Sequence, residues 1–283
     1  MEKVHIEHNT VQETLIIPLY ARKLCTEQFP NLFQDKKAVE LIESLDYDFS
    51  EIEKKNKKLM RRFGTLEVAM RQNDLMIEIK DYLKRYPKSA VVNLGCGLDQ
   101  TAENCDNGVC KIYNIDYKDV VSVRNKLLPE KDRIKNIPAD LNTTDWFDLI
   151  DASEGVIFFA AGVFYYFKKE QIKSLFLKMA KHFPKGRLVF DTAGKKAVKL
   201  MIKTWLKGMG ITDINSFFYV DNIEKDIAPW LKNARISSKG YMLGYNDLKD
   251  KSVNKLFRLL AKIGDNMLHM QIVKLDFEKN KVY

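Results

Sequence analysis

The sequence of 283 residues lacks the cysteine pattern of a zinc-binding or disulfide-stapled protein. Its four cysteines, Cys25, Cys96, Cys105 and Cys110, contain no C-x-x-C pair and do not group with a histidine at zinc-finger spacing. A chain of this length buries a large core without cross-links. We therefore expect no metal site, and free thiols as in the cytoplasm.

Long apolar runs are also missing. No segment approaches the roughly 20 apolar residues that a membrane-spanning helix needs, and the first residues lack the basic-then-apolar order of a signal peptide. We expect a cytoplasmic protein without a membrane partner.

Acidic residues are fewer than basic ones, 38 against 47, which gives a formal net charge of +9. The densest basic stretch, residues 54–62, contains no aromatic side chain, and Glu51 and Glu53 precede it. Aromatic residues between basic ones are typical of nucleic-acid binding. We interpret the surplus as a solvated surface and expect no nucleic-acid partner. The alternative, an RNA-modifying enzyme, predicts an affinity that falls steeply with salt.

The hydrophobic pattern changes near Pro87. Between Phe63 and Tyr86 apolar residues recur at steps of three or four, which predicts an amphipathic helix that ends at the proline. From Ala90 onward, short β-branched runs alternate with helical segments. We predict a helical N-terminal cap over residues 1–88 and a catalytic core over residues 89–283, folding as one structural unit.

The core segment contains runs that are apolar on both faces, as buried parallel strands require. These runs are Ala90–Leu94, Lys111–Asp116, Val156–Ala160 and Arg187–Asp191, with a further strand at Arg133–Pro138. Helical segments at Val120–Leu128 and Lys169–His182 lie between them. The alternation predicts a doubly wound α/β sheet. Residues 268–276 alternate apolar with polar side chains, which favours an antiparallel strand near the sheet edge.

A pair of glycines directly follows the first predicted strand. Gly95 and Gly97 allow a sharp turn against which a ligand can lie, and we expect a helix after the turn. Asp116 ends the next strand 21 residues after Gly95. An acid at that place accepts hydrogen bonds from the hydroxyls of a ribose. A dinucleotide-binding motif requires a third glycine where this chain has Gln100, because a pyrophosphate packs there. S-adenosylmethionine has no pyrophosphate, so Gln100 favours it over NAD.

Two more segments fall at carboxyl ends of predicted strands. Asp140 can accept a hydrogen bond from an adenine amino group while Leu141 covers the ring; alternatively, Asp140 caps a helix that begins near Asn142. After the fourth strand, small residues precede Tyr165 and Tyr166, which we predict to line a pocket. Phe164 and Phe167 in the same run are expected in the core.

These segments resemble the leucine carboxyl methyltransferase-like family of class I S-adenosylmethionine-dependent methyltransferases, in particular its bacterial branch of polyketide O-methylation. The resemblance covers nearly the whole chain and is carried by residues 14–22, 91–99 and 186–193. It implies a mostly parallel, seven-stranded Rossmann-like sheet with an N-terminal helical cap. It also implies S-adenosylmethionine as the cofactor and S-adenosylhomocysteine as its product.

The resemblance also implies roles by position. Arg71 matches the arginine that pairs with the methionine carboxylate of the cofactor. The chain departs from the family where Gln100 and Thr101 replace a Thr-Arg pair and where Ala161 replaces a glutamate. The predicted cofactor contacts are Arg71, Gly95, Gly97, Asp116, Tyr117, Asp140, Leu141 and Ala161.

The methyl acceptor is predicted from what the motifs lack. No histidine falls in a core motif: His182 is on a crossover helix, and His5 and His8 precede the first predicted helix. An ionised carboxylate needs no general base, so we expect an O-methyltransferase that acts on a carboxylate or acidic hydroxyl of a small molecule. No catalytic residue is assigned.

The expected acceptor pocket is lined by Tyr20, Arg22, Tyr165 and Tyr166. For Arg22 the alternative is a salt bridge that ties the cap to the core. For the whole chain, the alternatives are a nicotinamide-dependent oxidoreductase and a fold that binds the cofactor without turnover. Residues 206–245 carry no motif.

Overall fold

The computed structural model describes residues 3–7, 15–56, 59–201 and 218–277. His8, Thr14, Lys57, Lys58 and the segment 206–217 lie outside the described residues. The strands are β1 Val4–His5, β2 Leu45–Asp46, β3 Ala90–Leu94, β4 Lys111–Asp116, β5 Ile134–Pro138, β6 Val156–Ala160, β7 Arg187–Thr192, β8 Arg235–Gly240 and β9 Gln271–Asp276. The α-helices are α1 Ile16–Gln28, α2 Lys36–Glu43, α3 Ser50–Asn56, α4 Leu59–Arg85, α5 Lys118–Leu127, α6 Lys169–His182, α7 Lys195–Met201, α8 Ile223–Asp226 and α9 Lys255–Met267.

Seven strands form one sheet in the order β5-β4-β3-β6-β7-β9-β8. The first five of these are parallel, and β9 runs antiparallel to both of its neighbours. This confirms the predicted doubly wound, mostly parallel sheet. Strand order reverses at β3 and β6, so their carboxyl ends open the crevice in which α/β proteins place ligands.

Both faces of the sheet are covered, so every residue of β3 and β6 is buried. Helix α4 packs one face, and α6 contributes to the core on the other. On the α4 side the buried cluster includes Leu66, Met70, Ile79, Val91, Ile157 and Val189. On the α6 side it includes Phe158, Phe176, Phe183, Phe190 and Trp146.

The N-terminal helices are joined to this sheet by packing. Helix α1 contacts both α2 and α4, and the 27-residue helix α4 contacts β6, β7 and β9. Because α4 forms one layer over the sheet, residues before Pro87 contribute directly to the core. The division of the chain at residue 88 stays a prediction.

One strand of the large sheet was not predicted. Strand β8 reads Arg-Ile-Ser-Ser-Lys-Gly and is mostly exposed at the sheet edge, so it lacks the apolar signal of the buried strands. Its neighbour β9 was expected as an antiparallel strand near the edge, and this is confirmed. In the part of the chain that the structure describes, no helix is long and apolar enough to cross a membrane.

Candidate functional site

The loop after β3 has a backbone that only glycine tolerates well. Gly95 and Gly97 have positive φ angles of 66° and 47°. A Cβ on Gly95 would lie 2.6 Å from Cγ2 of Val163, so β3 and the segment after β6 approach as closely as they do only because Gly95 has no side chain. Leu15 of the cap closes over the loop, 3.0 Å from where a Cβ of Gly97 would lie.

Asp116, at the carboxyl end of β4, is held against this loop. Its Oδ2 accepts a hydrogen bond of 2.8 Å from the amide of Gly97, and its Oδ1 accepts one of 2.8 Å from the amide of Tyr117. Burial raises the pKa of Asp116, and these two hydrogen bonds and the charge of Arg124 partly offset that effect. Each carboxylate oxygen keeps a second lone pair, so the group can still accept from a diol.

Arg124, which no motif indicated, holds the glycine loop in place through hydrogen bonds. Its side chain is fully buried and donates to the carbonyl oxygens of Gly97 at 2.9 Å and Asp99 at 2.7 Å. It also donates to Glu103 at 2.6 Å and Asn136 at 3.0 Å. A buried guanidinium stays in place only with such partners. In the sequence, the signal was an arginine among the valines of the amphipathic helix α5.

The carboxylate of Asp99 binds several polar groups next to the glycine loop. It accepts hydrogen bonds from Gln72 at 2.8 Å, Asn93 at 3.2 Å and the hydroxyl of Thr101 at 2.9 Å. Thr101, which departs from the family pattern, therefore supports the loop in this chain. Helix α4, strand β3 and the glycine loop are connected through this one carboxylate.

Arg22 and Tyr20 lie in α1, and both are buried. Arg22 pairs with Asp35 at 3.0 Å and with Asp99 at 3.4 Å, and donates to the carbonyl of Leu98 at 2.9 Å. These contacts are those of the alternative considered for Arg22, a tie between cap and core. The place of Tyr20 and Arg22 in the acceptor pocket stays a prediction.

The hydroxyl of Tyr20 donates to Glu53 at 3.4 Å, and its ring stacks on Phe49. Burial, followed by the charge of Glu53, raises the pKa of Tyr20 to about 12. A phenol with such a pKa remains protonated at neutral pH.

Arg71 lies across Gly162, which follows β6. Its Nη1 is 3.2 Å from Oδ2 of Asp191 at the end of β7, and a Cβ on Gly162 would lie 2.7 Å from this Nη1. Asp191 is buried; it accepts a hydrogen bond of 2.6 Å from the amide of Gly162 and one of 3.1 Å from the hydroxyl of Tyr165. Asp191 was not predicted, although a charged residue that ends an apolar strand was a usable signal.

Among the described residues, these contacts leave the Nε of Arg71 without a hydrogen-bond partner, and this nitrogen is buried. A buried guanidinium N–H without a partner is costly, and a carboxylate matches the geometry of the fork. The arrangement therefore suits an anionic group bound beside Gly162.

The two tyrosines after β6 differ in exposure. Tyr165 is buried against Asp191, whereas 41% of Tyr166 is exposed, with Arg71 and Asp191 close enough to influence its pKa. Ala161 is half-buried and presents no polar group at the strand end. Tyr166 is thus the tyrosine that lies open beside Arg71.

Asp140 and Leu141 follow β5, next to β4 in the sheet. Oδ1 of Asp140 accepts from the amide of Asn142 at 2.9 Å and from its side chain at 2.8 Å, which is a turn rather than an α-helix. Leu141 is only 6% exposed and belongs to the core cluster of Trp146. Tyr117, 45% exposed, lies between the charges of Asp116 and Asp140. The adenine contacts of these residues stay predictions.

The segment after the two glycines distinguishes this site from a dinucleotide site. Residues 98–110 are all described, and they contain turns and the short 3-10 helix Glu103–Cys105 but no α-helix. A pyrophosphate in a dinucleotide-binding fold rests on the N-terminus of an α-helix that begins in the glycine motif. The helix expected after the glycine loop is therefore absent over these residues, so that expectation is wrong, and its absence agrees with the inference drawn from Gln100.

Comparison with known proteins identifies the family. The sequence profile of the leucine carboxyl methyltransferase family matches residues 15–180, which include the glycine loop, Asp116 and Arg71. The chain belongs to the leucine carboxyl methyltransferase family. The resemblance inferred from the sequence motifs is thereby confirmed.

A curated protein is similar to about two thirds of the chain. The chain is 30% identical over 182 residues to the tetracenomycin polyketide synthesis O-methyltransferase TcmP of Streptomyces glaucescens. That alignment covers 64% of this chain and 65% of the relative, slightly less than two thirds of its length.

Solved structures share the fold at low identity. A DUF574 family protein from Streptomyces avermitilis is 9% identical and superposes with a TM-score of 0.61 over 93% of this chain and 96% of that one. The plantazolicin methyltransferase BpumL is 12% identical, with a TM-score of 0.50 over 95% of this chain and 100% of that one. These likenesses establish the mostly parallel α/β architecture of this family member.

Proposed function

We propose that this member of the leucine carboxyl methyltransferase family is an S-adenosylmethionine-dependent O-methyltransferase acting on a small molecule. The observation that supports this most is the pairing of Asp116 with the Gly97 amide beside an Arg71 whose Nε lacks a partner among the described residues. These groups provide one site for a ribose and one site for a carboxylate. S-adenosylmethionine carries both a ribose and a carboxylate, and it has no pyrophosphate between them.

The residues present fit this cofactor. Arg71 would hold the methionine carboxylate, the loop of Gly95 and Gly97 would lie against the cofactor, and Asp116 would accept from the ribose hydroxyls. Tyr117 and Asp140 flank the expected adenine position. When bound, S-adenosylmethionine supplies a methyl group on a positively charged sulfur.

The protein's own part in such a transfer is positioning and exclusion of water. Asp191 fixes Arg71, and Arg124 fixes the loop, so little reorganisation is needed when the cofactor binds. Ala161 and Gly162 leave space at the end of β6, and Tyr166 borders it. A preorganised site of this kind aligns an oxygen nucleophile for in-line displacement.

The acceptor class follows from the relative and from the site. The name of TcmP assigns it to polyketide synthesis, so we propose a small molecule with a carboxylate or acidic hydroxyl as the acceptor. A cytoplasmic location is part of this proposal, as expected from the sequence. Asp116 would serve the ribose of either cofactor, and Gln100 together with the absence of an α-helix over residues 98–110 disfavours the nicotinamide-dependent alternative. The salt dependence of binding tests the RNA-modifying alternative.

Isotope-labelled S-adenosylmethionine tests the proposal. The protein is incubated with the labelled cofactor and a panel of aromatic hydroxy acids, and products that carry the label are identified by mass spectrometry. We expect transfer to oxygen that is lost in Asp116→Ala and retained in Glu154→Gln, because Glu154 is exposed just before the amino end of β6, away from the carboxyl ends of the strands. Binding of NADH with no binding of S-adenosylhomocysteine would overturn the proposal.

A further inference from the structure

Two segments that are far apart in the sequence meet on one surface of the molecule. The ring of Phe63 on α4 lies 5.6 Å from the ring of Phe257 on α9, measured between centroids. The turn after α1 joins the same surface, because Asn31 donates a hydrogen bond of 3.2 Å to Asp250. The first turns of α4 and α9 and the loop before α9 are therefore neighbours in space.

Four aliphatic side chains are exposed within one helical turn of this ring contact. They are Leu59 at 44%, Met60 at 58%, Leu256 at 43% and Leu259 at 54% exposed. Leu59 and Met60 precede Phe63 by four and three residues, so they lie on the same side of α4 as its ring. Single exposed aliphatic residues are common, whereas a group of them on one surface marks an interaction site. We call these four residues the apolar patch.

The segments that carry the apolar patch are also basic. Residues 59–62 and 247–262 together contain seven basic residues against two acids. One of the acids, Asp247, is paired with Lys249 at 2.9 Å. Three lysines are exposed and form no ion pair among the described residues: Lys251, Lys255 and Lys262. The surface therefore combines exposed aliphatic groups with positive charge that the chain itself does not neutralise.

This combination favours one class of partner. A second copy of the chain is disfavoured, because the same positive charge would face itself across a twofold axis. Single-stranded nucleic acid stacks its bases on aromatic rings, and the exposed side chains of the patch are aliphatic. Protein interfaces are depleted in lysine and depend mostly on Trp, Tyr and Arg. Exposed leucine beside lysine is instead typical of helices that lie on an anionic lipid surface.

We propose that this surface binds peripherally to membranes that contain anionic lipids. The aliphatic side chains of the patch enter the headgroup region, while Lys251, Lys255 and Lys262 approach the lipid phosphates. The sequence-based expectation of no membrane partner concerned spanning and signal segments, and for the membrane surface we replace it. The proposal does not depend on the methyl transfer.

Helix α4 connects this surface with the candidate site. The amide of Val156 at the amino end of β6 donates to the hydroxyl of Tyr82, and Arg71 lies beside Gly162 at the other end of that strand. Met60 precedes Arg71 by 11 residues, which corresponds to about 16 Å along the helix. The patch therefore lies beyond the carboxyl ends of the strands, and membrane binding brings the opening of the crevice close to the bilayer.

Co-sedimentation of the full chain with lipid vesicles tests the proposal. Vesicles of phosphatidylcholine alone are compared with vesicles that also contain the anionic lipid phosphatidylglycerol. We expect binding to the anionic vesicles at least about tenfold tighter than to the neutral ones, and a loss of about tenfold in that affinity as the NaCl concentration rises from about 0.05 to about 0.5 M. Absence of binding to the anionic vesicles, or equal binding to both kinds, overturns the proposal.

A matched pair of leucine variants tests the part of the apolar patch. Leu259→Ser removes an aliphatic group from the patch and should weaken binding to the anionic vesicles about fivefold. The control is Leu177→Ser, because Leu177 is 42% exposed on α6, which packs on the opposite face of the sheet. We expect the control to bind as the wild type does. Equal binding of the two variants overturns the proposal.

A matched pair of charge variants tests the part of the lysines. The double substitution Lys255→Glu and Lys262→Glu should remove the preference for anionic over neutral vesicles. The control is Lys173→Glu with Lys178→Glu, which changes two exposed lysines of α6 and should retain the preference. A preference that survives in the α9 variant overturns the proposal.

The other partners give different results. A dimer that Leu259→Ser dissociates in analytical ultracentrifugation, without vesicle binding, overturns the proposal in favour of a second copy of the chain. Binding of single-stranded RNA without vesicle binding overturns it in favour of a nucleic acid. The affinity for S-adenosylhomocysteine is measured in parallel, and an affinity of Leu259→Ser equal to that of the wild type shows that the variant is folded.

Discussion

Replacement of Asp191 with asparagine tests whether this buried carboxylate holds Arg71, the proposed cofactor ligand, in place. The side chain accepts hydrogen bonds from Gly162 at 2.6 Å, Tyr165 at 3.1 Å and Arg71 at 3.2 Å. Asparagine keeps the size but removes the charge, and its NH₂ group faces at least one of these donors. Breaking a buried ion pair costs about 3–5 kcal/mol. The Arg71 side chain is 15% exposed, so water recovers part of that loss, and we expect about 2–4 kcal/mol.

The assay is urea denaturation combined with a titration of S-adenosylhomocysteine, applied to a double-mutant cycle. The cycle contains Asp191→Asn, Arg71→Met and the double variant, with Tyr165→Phe as a control that removes one hydroxyl for about 1 kcal/mol. We expect a coupling free energy above about 1 kcal/mol between Arg71 and Asp191. We also expect S-adenosylhomocysteine to bind about tenfold more weakly to Asp191→Asn. If Asp191→Asn lowers the free energy of unfolding equally in the wild type and in Arg71→Met, the reasoning is refuted.

Three further variants probe the groups around the site. Asp74 is fully buried and burial raises its pKa to about 9, above its ordinary value of 3.8, so the wild type loses up to roughly 1.4 kcal/mol of stability per pH unit between these values. Asp74→Asn should remove this dependence of stability on pH and be more stable than the wild type at neutral pH, which thermal unfolding at several pH values measures. A steeper dependence of stability on pH in the variant would contradict this expectation. Gly97→Ala places a Cβ at positive φ and should cost about 1–2 kcal/mol and weaken S-adenosylhomocysteine binding, both measurable by calorimetry; a tight-binding, stable variant contradicts the role of the loop. Arg124→Met frees two loop carbonyls and should weaken binding about tenfold or more, whereas Arg133→Met, at the exposed Asp106, should not.

The sequence predicted those parts of the fold that depend on local pattern. Strands β3, β4 and β6 were found with their observed bounds because a buried parallel strand is apolar on both faces. Strand β8 was not predicted. It is exposed at the edge of the sheet, so its sequence does not need the apolar residues of a buried strand. The same reasoning applies to the candidate site. Gly97 and Asp116 follow or end predicted strands, so the sequence predicted that they lie close together.

The residues that the sequence did not indicate depend on contacts over long separations. Asp191 reaches Arg71 across 120 residues, and Arg124 reaches the carbonyl of Gly97 across 27. Neither spacing follows from a helical or strand period. The sequence predicted Arg71, Gly97 and Asp116 as cofactor ligands, which stays a prediction, and the structure shows that Asp191 and Arg124 hold two of these segments in place.

The most direct test of the account is a calorimetric titration of the wild-type protein with S-adenosylhomocysteine and with NADH. We predict that S-adenosylhomocysteine binds at one site per chain, that Asp116→Ala weakens this binding at least about a hundredfold through the loss of two charge-assisted hydrogen bonds, and that NADH does not bind. Saturable binding of NADH that depends on Asp116, with no binding of S-adenosylhomocysteine, would contradict the assignment of the site.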